Sequence, residues 1–352
     1  MEVWILDKEF RSVLLIDSFE SLLWTERYIG AGNFEIYTTV DLNILKRVNE
    51  DYYAWLRDSD QMMIVETIQI ITEVETGAKM IFSGRSLESI LDRHIIWTQT
   101  TVNGNLQNAI QKLLNENVIN PSIADRKISN FIFEPSDDPA ITSLILNAQY
   151  TGDNLYDVIY TICDANHIGF QVTLNDQYQF VFKLYAGKDR SYDQDENPYV
   201  IFSPKFENII NSNYIQSSKT LKNVALVAGE DSGTSRRTVV VGSASGLDRR
   251  ELYVDARDIQ SETSSGKISD ADYNEKLRTR GEEKLAEYET TKTFEGEMET
   301  TKTFVYGTDF FKGDIVQFVN EYDMEAKVRV MEIIRAQDTS GYSTYPTFSV
   351  IE

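Results

Sequence analysis

Two histidines, one cysteine and a surplus of carboxylates bound the chemistry open to this chain. Imidazole is the side chain best suited to general acid–base work near neutral pH. His94, however, falls between a helical stretch and a strand, and His167 stands just before Ile168-Gly169 at a helix end. Both are places for packing or capping. A Ser-His-Asp or Cys-His set can be assembled by counting, but no Gly-x-Ser-x-Gly elbow is present. Cys163 lies on an apolar helical face, where a thiol is inert. Neither His-Glu-x-x-His nor Cys-x-x-Cys occurs, so no zinc site is expected.

Asp193, Asp195 and Asn197 alternate as the first oxygen ligands of a calcium loop do. An EF-hand would continue with Gly and a later Glu, whereas Pro198 and Tyr199 follow, which favours a solvated acidic loop. Gly30-Ala31-Gly32 has no third glycine and no following helix, so it reads as a turn. Gly187-Lys188 and Gly266-Lys267 lack the Ser or Thr and the upstream glycine of a phosphate loop. Asp255 and Arg257 share one side of an extended run and can pair locally or across subunits. A glycosidase needs only two carboxylates, and aromatic residues can form a sugar-stacking face. Both possibilities stay open, with no residue assigned. The catalytic, cofactor and metal assignments are therefore none.

The composition narrows the classes. With 352 residues the chain is long enough for two or three domains. Tyr and Phe are plentiful and Pro is scarce, which favours sheet. The formal net charge of −22 repels phosphate backbones and anionic membranes. Such acidity serves a solvated surface, or a channel that something anionic passes without sticking. A single cysteine cannot form an intrachain disulfide. Met1-Glu2-Val3-Trp4 is not the start of a signal peptide, and no apolar run is long enough to span a bilayer.

The elements that must position these residues follow from periodicity. Residues 1–75 read as β. A hairpin turns across Thr76-Gly77. Ile81 to Trp97 reads as a strand, a glycine turn, a short helix capped by Ser86 and a second strand. Leu106, Ala109, Ile110, Leu113 and Leu114 make an amphipathic helix. A second helix carries Leu155, Val158, Ile159 and Ile162, with Asp153 as its cap and Gly169 as its end. Phe170 to Leu174 and Tyr178 to Leu184 alternate as a hairpin over Asn175-Asp176. Residues 199–260 return to β. A charged helix at 269–288 is interrupted by Gly281. Strands over Phe304 to Tyr306, Ile315 to Val319 and Val328 to Ile334 close the chain. The fold class expected is α+β, β-rich: β units at 1–100 and 199–352 flank an α+β unit at 101–198.

Several phrases occur together and in order. They are Trp24-Thr-Glu-Arg-Tyr-Ile-Gly-Ala-Gly-Asn-Phe-Glu35, Gly84-Arg-Ser-Leu-Glu-Ser-Ile-Leu-Asp-Arg93, Asp153-Asn-Leu-Tyr-Asp-Val-Ile159 and Ile168-Gly-Phe-Gln-Val172. Lys222-Asn-Val-Ala-Leu-Val-Ala-Gly-Glu230, Gly246-Leu-Asp-Arg-Arg-Glu-Leu-Tyr-Val-Asp-Ala-Arg257, Tyr306-Gly307 and Lys312-Gly-Asp-Ile-Val316 follow. In this the chain resembles the tail hub proteins of long-tailed bacteriophages that infect Gram-positive hosts.

The resemblance implies a structural protein of the virion tail tip, made in the host cytoplasm, with no enzymatic role. It implies a homotrimer in which each chain carries two tail-tube-like β domains. Three copies then offer a pseudo-sixfold ring to a sixfold tube and a threefold side to the tip. The implied partners are the distal tail ring protein, the tape-measure protein and receptor-binding or lytic tip proteins. The ring would close the tube and open for tape-measure and DNA exit, with DNA passing unbound and no stable membrane anchoring. Many such hubs continue into a lytic or host-binding extension, so a sequence stopping at Glu352 is a minimal hub or a trimmed one. The rival readings are a cell-wall carbohydrate-binding receptor module and a peptidoglycan hydrolase using paired carboxylates.

Overall fold

A computed structural model describes residues 1–73, 77–209, 213–263, 266–295 and 303–351. The first strands are β1 (Val3–Leu6), β2 (Ser12–Ile16), β3 (Ser21–Arg27) and β4 (Asn33–Thr39). A one-turn helix α1 (Leu42–Leu45) leads to β5 (Tyr53–Leu56), β6 (Met62–Glu73) and β7 (Gly77–Ser86). Alternation decides which side chains go inward: Phe34, Ile36 and Thr38 of β4 are buried and the residues between them are not. Phe34 and Ile36 build one core with Trp24, Met63 and Phe82. The β6–β7 hairpin matches expectation, although Thr76 lies outside the described residues.

Gly84 is not a turn. Strand β7 runs straight through it, opposite a bulge in β6 between Val65 and Thr67. A Cβ there would lie 1.8 Å from the Ile64 carbonyl oxygen, so close backbone approach, not curvature, requires glycine. The helix that follows is a 3₁₀ helix over Leu87–Arg93, and Ser86 does not cap it. Its hydroxyl is taken by the Gly32 amide, 2.7 Å away, and by Glu88. The strand expected beyond it shrinks to a single bridge between Ile95 and Asn154.

The middle region runs β8 (Thr100–Asn105), α2 (Leu106–Leu114), β9 (Phe131–Glu134), α3 (Pro139–Thr142), β10 (Ile145–Tyr150), α4 (Leu155–Ala165), β11 (Gly169–Leu174) and β12 (Phe180–Tyr185). Asn154, not Asp153, caps α4, accepting from the Tyr156 and Asp157 amides at 2.9 and 3.2 Å. The left-handed residue after that helix is His167 (φ 53°), not Gly169, which opens β11. Tyr178 is also left-handed (φ 57°), so the return strand starts later, at Phe180. The apolar faces of α2 and α4 share a core with Phe170, Val172 and Phe182.

The last region holds β13 (Ile201–Phe202), β14 (Asn213–Ser217), β15 (Val224–Ala228), β16 (Thr238–Gly242), β17 (Glu251–Asp255) and the short pair β18 (Glu262–Thr263) and β19 (Gly266–Lys267). Then come α5 (Asp270–Ala286), β20 (Thr291–Glu295), β21 (Ile315–Val319), β22 (Glu325–Asp338) and β23 (Gly341–Val350). Phe304 to Tyr306 is not a strand; Tyr306 makes only an isolated bridge to Phe310. Helix α5 is unbroken at Gly281. A Cβ there would sit 2.6 and 2.7 Å from Val241 and Val227 methyls, so the glycine lets helix and sheet close up.

Thirteen strands among the described residues form one sheet, ordered β14-β20-β23-β22-β3-β4-β7-β6-β5-β1-β2, with β21 also paired to β22 and β13 paired to β21. Strands from the two ends of the chain meet antiparallel where β22 pairs with β3. Smaller sheets, β10-β8, β11-β12-β9 and β16-β15-β17, belong to the units packed around it. The fold is α+β and β-rich.

Candidate assembly site

The seam between β3 and β22 carries an unusual load of buried charge. Glu26 lies in β3 on the same strand face as the buried Leu22 and Trp24, so alternation turns its carboxylate toward the core. Its side chain is 2 % exposed and is gripped by Arg335 of β22 and by Lys312, whose Nζ is 3.3 Å away. The Ser59 hydroxyl donates to it at 2.7 Å, and the Trp24 indole donates to Ser59 at 3.2 Å. Burial pushes the Glu26 carboxyl up, but Lys312 and Arg335 outweigh burial and hold it below the ordinary range. A carboxylate held in this way is a structural anion and a poor proton donor.

Next to the seam stands Tyr28, fully buried. Its hydroxyl donates to the His167 carbonyl at 3.0 Å, and the Tyr185 hydroxyl donates back to the Tyr28 carbonyl at 3.2 Å. The Tyr28 and Tyr185 rings meet edge to face at 5.2 Å, and the Arg329 guanidinium lies 5.6 Å from the Tyr28 ring centroid. Gly169 and Gly313 make the room, since a Cβ on either would lie 2.5 or 2.2 Å from that ring. One side chain thus joins β3 to α4, β12 and β22. Further along, Arg190 pairs with Asp314 at 2.7 Å, and Asp314 also accepts the Lys188 amide at 2.7 Å. That ties the 186–198 loop to the C-terminal strands.

A third set of contacts fastens α5 to the middle region. Arg280 reaches Asp258 at 3.0 Å and the Gln149 carbonyl at 2.9 Å, while the Tyr150 hydroxyl donates to Glu283 at 2.7 Å. Burial raises the Glu283 pKa against the pull of Arg280. All three sets weld one part of the chain to another, and none presents a nucleophile to an open cavity.

The residues with chemical potential are scattered. Cys163 is fully buried in α4, and burial pushes its thiol far up. His94 is half-buried, and burial, Arg126 and Arg93 together lower its pKa. Among the described residues no hydrogen bond links either histidine to Cys163, and no three His, Cys, Asp or Glu side chains gather as a metal site. Asp193, Asp195 and Asn197 turn to separate partners: Lys327 at 2.5 Å, the Tyr199 hydroxyl at 3.0 Å and the Asp189 carbonyl at 3.0 Å. Asp255 and Arg257 pair within the chain at 2.9 Å, and Arg236 joins Asp255 at 2.8 Å. The hydrogen bond from Arg257 leads in drawing the Asp255 pKa down to about 2. The seam itself has a signal in the sequence. Glu26, Lys312 and Asp314 all sit inside the quoted phrases, Glu26 in β3 and the other two in the turn just before β21.

The profile of the Siphovirus ReqiPepy6 Gp37-like protein family matches residues 2–348. This chain belongs to that family. The Gp37-like chain is thereby a phage tail protein. No curated protein sequence matches it. Its fold is shared by prophage tail protein gp18 from Listeria monocytogenes EGD-e, with a TM-score of 0.55, 14% identity and 99% and 94% of the two chains covered. The tail protein from Neisseria meningitidis MC58 superposes with a TM-score of 0.59, 13% identity and 99% and 95% coverage. The 43 kDa tail protein of prophage MuSo2 from Shewanella oneidensis gives 0.58, 9% identity and 100% and 98% coverage. At such identities the likeness concerns fold alone, and it spans three different bacteria. No helix among the described residues of the Gp37-like chain is long and apolar enough to cross a membrane.

Proposed function

We propose that this Gp37-like chain is the tail-tip hub: a non-enzymatic homotrimer that closes the tail tube and joins a sixfold tube to a threefold tip. The observation that carries this reading is the β3–β22 seam. It sets an N-terminal run, β3-β4-β7-β6, beside a C-terminal run, β22-β23-β20-β14, in one sheet. Each chain then offers two β units, at 1–100 and 199–352, joined edge to edge by that seam, with the 101–198 unit as a separate α+β addition. Three chains offer six, and a ring of six β units matches a sixfold tube while keeping threefold symmetry. The welded contacts at Glu26 and Tyr28 suit a part that bears force as one body.

In this role the hub seats on the distal tail ring protein, abuts receptor-binding or lytic tip proteins, and opens for the tape-measure protein and DNA. Its place is the virion tail tip of a phage of a Gram-positive host. The charge of −22 suits a lumen through which DNA slides without counterion-releasing contacts. Light-scattering mass and negative-stain images of the same peak test the reading. A threefold ring with a central hole is expected. A monomer that also ignores the distal tail ring protein would overturn it.

A further inference from the structure

The small sheet β16-β15-β17 has the composition of strands covered on both faces, yet one chain leaves the middle of its second face open. Val224-Ala-Leu-Val-Ala228 and Val239-Val-Val241 are continuous apolar runs, the mark of a sheet buried on both sides. Ala225, Val227, Val241 and Val254 pack on Tyr273 and Leu277 of α5. On the other face Leu226, Val240 and Tyr253 are 42%, 55% and 57% exposed. They form one cross-strand row, because Leu226 is in register with both Val240 and Tyr253. Leu247, in the loop beside them, is wholly exposed. A row of this kind marks a contact surface.

Charge indicates what covers it. Residues 236–257 hold five arginines against three carboxylates, in a chain whose net charge is −22. Arg249 pairs with Glu251, and Arg237 turns to Asp270 and Tyr273 on the α5 side. Arg236 and Arg257, however, share the single carboxylate of Asp255, and Arg250 bonds Ser218, so a cationic excess stays beside the apolar row. This basic, apolar face therefore suits an acidic, apolar one.

The same chain carries such a surface. The β21–β22 turn projects Tyr322 and Met324, 77% and 41% exposed, among Glu321, Asp323 and Glu325. Strand β13 pairs with β21, so the turn after it brings up Phe206, 50% exposed. The ion pair of Asp193 with Lys327 draws in the 189–199 loop, where the Tyr192 and Tyr199 rings meet at 6.0 Å beside Asp195 and Glu196. Exposed aromatic side chains thus stand among an excess of carboxylates.

We infer that the β16-β15-β17 face of one copy docks on the β21–β22 turn and 192–199 loop of the next copy. Two different surfaces make this contact head-to-tail, the kind that closes a ring when the rotation allows. The inference rests on the hub reading and supplies its subunit contact.

The test uses the full chain and two double variants at exposed positions. Leu226→Glu with Val240→Glu spoils the first surface, and Tyr322→Arg with Met324→Arg spoils the second. The milder Leu247→Glu serves if the first pair disturbs folding. Light scattering should give a trimeric wild type and monomeric variants that keep the wild type's circular dichroism, subunit affinity falling about thirtyfold or more. An equimolar mix of the two double variants should give a one-to-one dimer, since a single intact pair of surfaces remains between them. Trimeric variants, or a mixture that stays monomeric, would overturn this contact and leave the hub standing. A wild type that stays monomeric, alone and with the distal tail ring protein, would overturn the hub reading and the contact together.

Discussion

Arg335 and Glu26 lie 309 residues apart and meet across the β22–β3 seam, with side chains 8% and 2% exposed. Taking one partner of a buried pair away strands the other charge, at a cost of roughly 3–5 kcal/mol. Glu26→Gln should lose about that much at pH 7. The folded pKa of Glu26 lies below its unfolded value of about 4.3, so its contribution is complete above that value. It disappears as pH falls through the folded pKa. The stability gap between wild type and Glu26→Gln should therefore close in acid. Urea melts at neutral and acidic pH measure it, and a gap independent of pH would refute the assignment.

Gly313 has φ +88° and presses on the Tyr28 ring, so Gly313→Ala adds both backbone strain and a clash. A loss of about 2–4 kcal/mol is expected. In a Tyr28→Leu background the loss should shrink toward the strain alone. A double-mutant cycle by chemical denaturation reads the coupling, and strictly additive losses would show that the ring is not the obstacle.

Gly281→Ala pits two effects against each other. Alanine favours the helix by about 1 kcal/mol, while overpacking against Val227 and Val241 costs about 1–3 kcal/mol. Net destabilisation is expected. Val227→Ala together with Val241→Ala should reverse the sign by clearing both methyls, and thermal melts of Gly281→Ala in the two backgrounds decide it.

Cys163 should resist a water-soluble thiol reagent in the native protein and react at once in denaturant. Its burial and raised pKa withhold the thiolate that such reagents need. Stoichiometric labelling of the folded chain would contradict the placement of α4.

A gel containing host peptidoglycan should show no clearing. The most buried carboxylates, Glu88, Glu26, Asp314 and Glu283, are each engaged by other side chains. A cleared band from the pure chain would restore the hydrolase rival, and its abolition by a paired carboxylate substitution would locate the acid and base.

Periodicity was enough for most elements, because strand and helix faces leave their period in the apolar residues. The hairpins, α2, α4 and the return to β after residue 199 were all legible. Errors gathered at glycines and caps. Gly84, Gly169 and Gly281 read as turns or breaks, yet each is glycine because another chain segment comes too close for a Cβ. Nothing local distinguishes the two uses. Asp153 and Asn154 are adjacent and chemically alike as caps, but the fold turns Asp153 back to the Thr151 amide and anchors Asn154 on Asp92.

By itself the sequence determined the α+β, β-rich class, the order of the elements and, through its collinear phrases, the kinship with phage tail proteins. These rest on local pattern and on residue identity, which a linear chain records directly. Only the tertiary structure decided that β3 and β22 join the chain's two ends into one sheet, and that Glu26 is a buried anion between two cations. It also decided that Leu226, Val240 and Tyr253 line up on an open face. Such pairings depend on which distant strands lie side by side and in what register, and no local period encodes that.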